Sequence, residues 1–293
     1  MTPEQLDVYS RLKTIPRHFD PAARSTEVMQ RQFEDQARAQ SEARARLQAA
    51  MEPTHQALRS AFSAVPGITE ALRLVRRPEA VASPQIAPAA VPAHPMIRLG
   101  STHIVDVKPF YGIDFVNYTG NCNVEVTANG NTGYMWFNCA PGWDDSGHAR
   151  CWCAIGQGFV PPFGGVLRFS FSPSFNWHCM WLSNWWREAA GKIFIGQVIN
   201  RWNLGGTYID TPVSTQIDLY SYDDYNFSDG GDQLGSSIGY NLSSEIVLDA
   251  SVILACWVWI GCSSNADGSN AQSMASNFMS ATVPSITIDY WPD

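Results

Sequence analysis

Hydrophobic and polar positions change their rhythm once along the chain. Before about residue 77 the pattern is helical, with apolar residues three and four apart on a mostly polar background. Asp20-Pro21 reads as a cap followed by a first-turn proline, and starts a long polar helix that runs to about Met51. Acid-to-arginine pairs four residues apart support it: Asp20 with Arg24, Glu27 with Arg31, Glu34 with Arg38, Glu42 with Arg46. Its apolar stripe is thin, with Met29, Phe33, Ala37, Leu47 and Met51, and Gln36 and Gln40 interrupt it. Such a stripe packs on a neighbour or pairs helices, and makes no globule alone. Pro53 is expected to end the helix. Shorter pieces follow over Thr54–Val65 and Ile68–Arg76. An earlier short helix is expected over residues 2–13, capped by Thr2.

Residues 78–99 are rich in proline and alanine and read as an extended linker. From residue 100 onward the rhythm is that of strands, separated by Gly, Asn, Asp, Ser and Pro clusters. Ten strands with little helix between them predict an antiparallel β-sandwich of jelly-roll type. The organisation expected is therefore mainly β with an α-helical N-terminal arm: residues 1–77 as arm or assembly region, 78–99 as linker, 100–293 as sandwich.

One stretch stands apart. Ile246–Cys262 is apolar at nearly every position and reads as a single long strand. Val252, Leu254, Cys256, Val258 and Ile260 would line one face, and Ile253, Ala255, Trp257 and Trp259 the other, so both faces must be covered. Ser183–Ala190 is the one segment after the linker with helical character.

Composition narrows the function. Charged residues are 16% of the chain and aromatics 12%, with 11 Trp, which suits a large core or surfaces on which ligands stack. Residues 1–100 carry 13 Lys+Arg against 10 Asp+Glu, and residues 101–293 carry 6 against 17. An acidic sandwich repels phosphate backbones, so nucleic acid is not an expected partner. No run reaches the roughly 18 apolar residues of a membrane helix. The start, MTPEQLDVYSRLK, has no apolar segment of a signal peptide. The expectation is synthesis in the cytoplasm without a signal peptide, with release or inclusion in a particle as later fates. The seven cysteines, all after residue 121, are expected to be reduced and mostly buried.

Four loops carry candidate chemistry. In Pro141–His148, Trp143 stands beside Asp144, Asp145 and His148, a combination that stacks a sugar ring and takes its hydroxyls. Trp185 and Trp186 form a second aromatic platform. In Ser263–Asn277, Asp267 and Asn270 are polar ligands. In the acidic loop Tyr222–Gln233, Asp223, Asp224, Asp229 and Asp232 offer hard oxygens that suit calcium as a cofactor. Cys139, His148, Cys151 and Cys153 have residue types that suit zinc, although Cys-Trp-Cys spacing is poor for it. Only three Glu follow residue 100, no acid pair identifies itself, and no nucleophile or phosphate-loop motif occurs, so an enzyme is not expected. The expected function is a non-enzymatic binding protein whose sandwich loops recognise carbohydrate or another cell-surface ligand. Residues 1–77 would tether it to a protein partner or make a homo-oligomer. A capsid-like shell subunit, a membrane-active toxin and a hydrolase are the alternatives.

Overall fold

The computed structural model describes residues 15, 17, 19–67, 102–107, 110–141, 146–161, 164–184, 188–224, 228–248, 252–267 and 273–292. The helix predicted over residues 2–13, the one over Ile68–Arg76 and the linker at 78–99 lie outside them. One helix, α1 (Pro21–Ser63), precedes fourteen strands. These are β1 (Thr102–Val107), β2 (Tyr111–Gly120), β3 (Cys122–Asn129), β4 (Tyr134–Pro141), β5 (Gly147–Phe159), β6 (Gly165–Phe171) and β7 (Ser174–Asn184), then β8 (Ala189–Trp202), β9 (Tyr208–Asp224), β10 (Ser228–Ser237), β11 (Leu242–Leu248), β12 (Ile253–Ala266), β13 (Met274–Thr282) and β14 (Ser285–Pro292).

The strands form three sheets, ordered β1-β14-β6-β11, β10-β7-β13-β4-β3 and β2-β5-β12-β8-β9, with every pair antiparallel. The first two are panels of one layer. β6 and β7, β10 and β11, and β13 and β14 are consecutive in sequence and keep the same lateral order in both panels. Counting each such pair as one bent strand leaves eleven, and eight of them make the nested core of the fold: β4, β5, β6–β7, β8, β9, β10–β11, β12 and β13–β14. Their pairings are nested. β4 pairs with β13, β5 with β12, β6–β7 with β10–β11, and β8 with β9. A hairpin folded over on itself in this way is a jelly roll. The expected antiparallel sandwich is thus the observed fold.

The central strands of the third sheet, β5, β12 and β8, are buried on both faces, which explains the apolar stretch. Leu254, Cys256, Val258, Ile260 and Cys262 face the core between the layers. Ile253, Ala255, Trp257 and Trp259 face the other way, into a second core closed by Phe19, Met29 and Phe33 around α1. The helix is therefore the cover for this sheet's outer face. Phe33 meets Phe115, Trp152, Phe194 and Trp259 with ring centroids 5.9–6.4 Å apart. Phe19 meets Trp202 edge-on at 5.2 Å.

Several expectations need correction. Ile246–Cys262 is two strands. Ile246–Leu248 end β11 in one sheet, and β12 starts at Ile253 in another, with the chain changing layers between them. Pro53 does not end α1. It removes one N–H, but Pro53 and Ala49, whose carbonyl loses its partner, are both exposed, so water can take that carbonyl. Asp20 caps the helix as expected, accepting from the N–H groups of Ala22 at 2.9 Å and Ala23 at 3.3 Å. Ser183 and Ala190 belong to β7 and β8, not to a helix. Much of the acidic loop is strand β10. Its glycines are not turn formers: Gly231 and Gly235 oppose Trp181 and Trp177, and a Cβ on either would lie 2.3 Å from the facing indole. The glycines make room for rings from the next strand.

Candidate functional site

The strand register puts the candidate loops at one end of the sandwich. Gly120, Gly147, Ala266, Ala189 and Asp224 form a single row across the third sheet. Ser228 pairs with Asn184 in the facing layer. The connections β4–β5, β7–β8, β9–β10 and β12–β13 all leave from this end. They carry Trp143, Asp144 and Asp145; Trp185 and Trp186; residues 225–227; and Asn270. Those residues themselves lie outside the described ones, and so does the side chain of Asp229. Their anchors are described, and they are tied together. Ser146 donates to the Asp267 carboxylate at 2.9 Å, the Asp267 N–H donates to the Glu188 carbonyl at 3.0 Å, and Ser273 donates to the Asp267 carbonyl at 2.6 Å.

Under these anchors is a polar cluster on the face that α1 covers. His148 opposes Asn265 in the register. The Asn265 side chain hydrogen-bonds both His148 and Glu188. Glu188 is buried and ion-paired to Arg44 of α1, and Gln48 donates to it at 2.5 Å. Arg44 also reaches Asp223 at 3.3 Å. Burial holds the Glu188 carboxyl above its usual range against the pull of Arg44. Burial, then the nearby Arg150, lowers His148 to about 4, so the imidazole is neutral at pH 7. The cluster is a rigid, hydrogen-bonded floor for the loops above it.

The four acids read as a calcium set do not share one role among the described residues. Asp223 turns to Arg44, Asp224 accepts from the Trp181 indole at 2.7 Å, and Asp232 bonds His178 at 2.5 Å. Asp223 and Asp224 are consecutive in β9 and so point to opposite faces. The zinc set is also rearranged. His148 is on the opposite face of β5 from Cys151 and Cys153. The thiol that joins Cys139 and Cys151 is Cys262. All seven cysteines are unbridged, and all but Cys122 are buried.

Sequence reasoning missed Arg44, Gln48, Glu188 and Cys262 as parts of one end. The spacing could have found the first two. Met29, Phe33, Gln40, Arg44 and Gln48 continue one helical stripe, which turns polar where the sheet beneath it turns polar. A cleft of about 300 Å³ lies between α1 and the sheet, with Phe33, Trp152 and Trp259 as apolar wall and Gln32, Gln36 and Gln216 as polar wall. Among the described residues no helix is long and apolar enough to cross a membrane.

No protein-family model matches the chain, and no curated protein matches its sequence. Weak likeness to solved structures was found. The enzymatically active domain of tailspike protein 4 of bacteriophage CBA120 is 11% identical over 59% of this chain and 19% of that chain, with a TM-score of 0.17. Arthrobacter globiformis T6 isomalto-dextranase complexed with panose is 9% identical over 62% and 34%, at 0.15. The infectious bursal disease virus Gx strain structure is 10% identical over 66% and 42%, at 0.17. The chain thus spans less than half of each of these chains, and scores this low leave the fold to be read from the register alone.

Proposed function

We propose that this protein is a non-catalytic binding protein that presents the β4–β5, β7–β8, β9–β10 and β12–β13 loops to carbohydrate or another hydroxyl-rich cell-surface ligand. One observation carries the reading: the three loops richest in Trp, Asp and Asn leave from one row of strand ends, cross-tied through Ser146, Asp267 and Glu188. A sugar needs an aromatic face to stack on and fixed polar groups for its hydroxyls. Trp143, Trp185 and Trp186 supply the first, and Asp144, Asp145, Asp267 and Asn270 the second. α1 holds the floor of this end through Arg44. Calcium, held by Asp229 and its loop, belongs to the proposal as a co-ligand.

The test is a glycan array probed with the full chain, with and without calcium, followed by calorimetry on any hit. A positive hit that weakens by about tenfold or more, roughly 1.4 kcal/mol, in Trp143→Ala or Trp185→Ala is the expected result. A folded protein that binds no glycan in either condition overturns the reading.

A second reading, a self-assembling shell subunit, is favoured by a different observation. Beyond Gln48, α1 leaves Met51, Leu58 and the following Val65 exposed, as is Leu47 just before. Light scattering decides it: a monomer at high concentration removes this reading.

A further inference from the structure

We propose that Cys139, Cys151 and Cys262 form a buried site for one thiophilic cation, Zn²⁺ or Cu⁺. The three thiols come from β4, β5 and β12, and so from both layers of the sandwich. Their sulfurs all lie within 4.8 Å of one another, with Cys151 and Cys262, directly opposed in the register, 3.5 Å apart. All three residues are fully buried. A cation about 2.3 Å from each sulfur separates the sulfurs by about 3.8–4.0 Å, so small shifts of the side chains suffice to enclose one.

The surroundings are not those of a simple apolar core. Asn277 is fully buried between the layers. It donates to the Ser264 hydroxyl at 2.5 Å and to the Ser263 carbonyl at 3.0 Å, while its Oδ1 has no partner. Ser264, also fully buried, donates to the Cys139 carbonyl at 3.4 Å. The Tyr222 hydroxyl is buried beside Asn277 and bonds its side chain. A buried polar atom without a partner, here Asn277 Oδ1, calls for an ion or a water to explain it. Burial pushes the thiols of Cys151 and Cys262 well up.

Thiolate ligands without a histidine select soft metals. A divalent cation entering three neutral thiols releases three protons to solvent and leaves the site with one net negative charge. The Asn277–Ser264 pair is placed to orient Cys139 from outside the ligand set. A disulfide between Cys151 and Cys262 is the competing chemistry. It would leave Cys139 and the polar groups without a role.

The experiment uses the full chain, reduced and freed of metal. Zn²⁺ and Cu⁺ are titrated separately under anaerobic conditions, and Co²⁺ serves as a spectroscopic probe for the zinc arm. About one cation per chain is expected, with thiolate-to-cobalt charge-transfer absorption. Binding is lost in Cys139→Ala and Cys262→Ala. It is kept in Cys256→Ala, which empties an equally buried position on the same strand face. Ser264→Ala weakens it by about 10–100-fold. A folded, reduced wild type that takes up neither cation overturns the proposal. So does a Cys151–Cys262 disulfide in peptides from freshly purified protein, or equal loss of metal in Cys256→Ala.

Discussion

Phe33→Ala tests whether α1 is the lid of the third sheet or a tether that rests on it. Phe33 is 8% exposed and touches four aromatic rings of the sheet. A buried phenylalanine removes about 200 Å² from water, worth about 5 kcal/mol at about 25 cal/mol per Å². Burial already present in the unfolded chain lowers this by about 10–40%, to about 3–4.5 kcal/mol. That falls in the range of about 3–5 kcal/mol seen when buried phenylalanines are truncated. The assay is denaturant unfolding followed in parallel by far-ultraviolet circular dichroism and tryptophan emission. If helix and sheet unfold together, both probes shift together and stability falls by about 3–4 kcal/mol. If the helix opens alone, Trp152 and Trp259 become wet before the sheet melts, and emission moves to the red ahead of the dichroism. A loss under about 1 kcal/mol with unchanged emission would refute the claim that the helix seals this face.

The other expectations are narrower. Trp257→Ala should cost about 3–5 kcal/mol in the same unfolding assay, because the indole is wholly buried beneath α1. Gly231→Ala should cost about 1–3 kcal/mol by thermal melting, since its Cβ would enter the Trp181 ring. Arg44→Ala should cost about 3 kcal/mol or more at pH 7 by leaving Glu188 buried and unpaired, whereas Glu188→Gln should be close to neutral. In pH-dependent melts, His148 and Glu188 act in opposite senses. The lowered His148 favours the folded state fully above about 6.5, and that contribution is lost as pH falls from there through about 4. The raised Glu188 works against folding at neutral pH, and this penalty fades as pH falls toward 4.5. His148→Gln should therefore flatten the acid-side loss, and Glu188→Gln should deepen it. Parallel curves for both variants would contradict the assignment.

The fold was legible in the sequence wherever one strand answered to one pattern. The faces of β12 follow residue by residue from its alternation, because both are buried and nothing polar interrupts them. What covers its outer face was not legible. The stripe on α1 looked too thin because Gln40 and Arg44 count as polar, yet both positions meet a sheet end that is itself polar. The strand β10 was hidden by its own glycines, which signal turns in sequence but pair across from indoles in space. Of the candidate site, the loops were readable and their common end was not, because register between strands far apart in sequence is a tertiary fact. His148 was placed correctly near the loops and wrongly beside Cys151, an error of one face on one strand.

The nested pairing also dictates an order of events in folding. β13 lies between β7 and β4, and β14 between β1 and β6, so a segment made after all the other strands of both panels, Met274–Pro292, is interior to both. While the chain is emerging from the ribosome, β4, β6 and β7 have exposed edges and no neighbour to close them. Loop-closure entropy makes such distant pairing slow, and unpaired strand edges invite association with other chains. α1 is synthesised before every one of these strands and needs no distant partner for its backbone bonds. Its apolar stripe would be available to shield β5, β8 and β12 as they arrive. On that account, removal of α1 should show first as poor yield of soluble protein during synthesis.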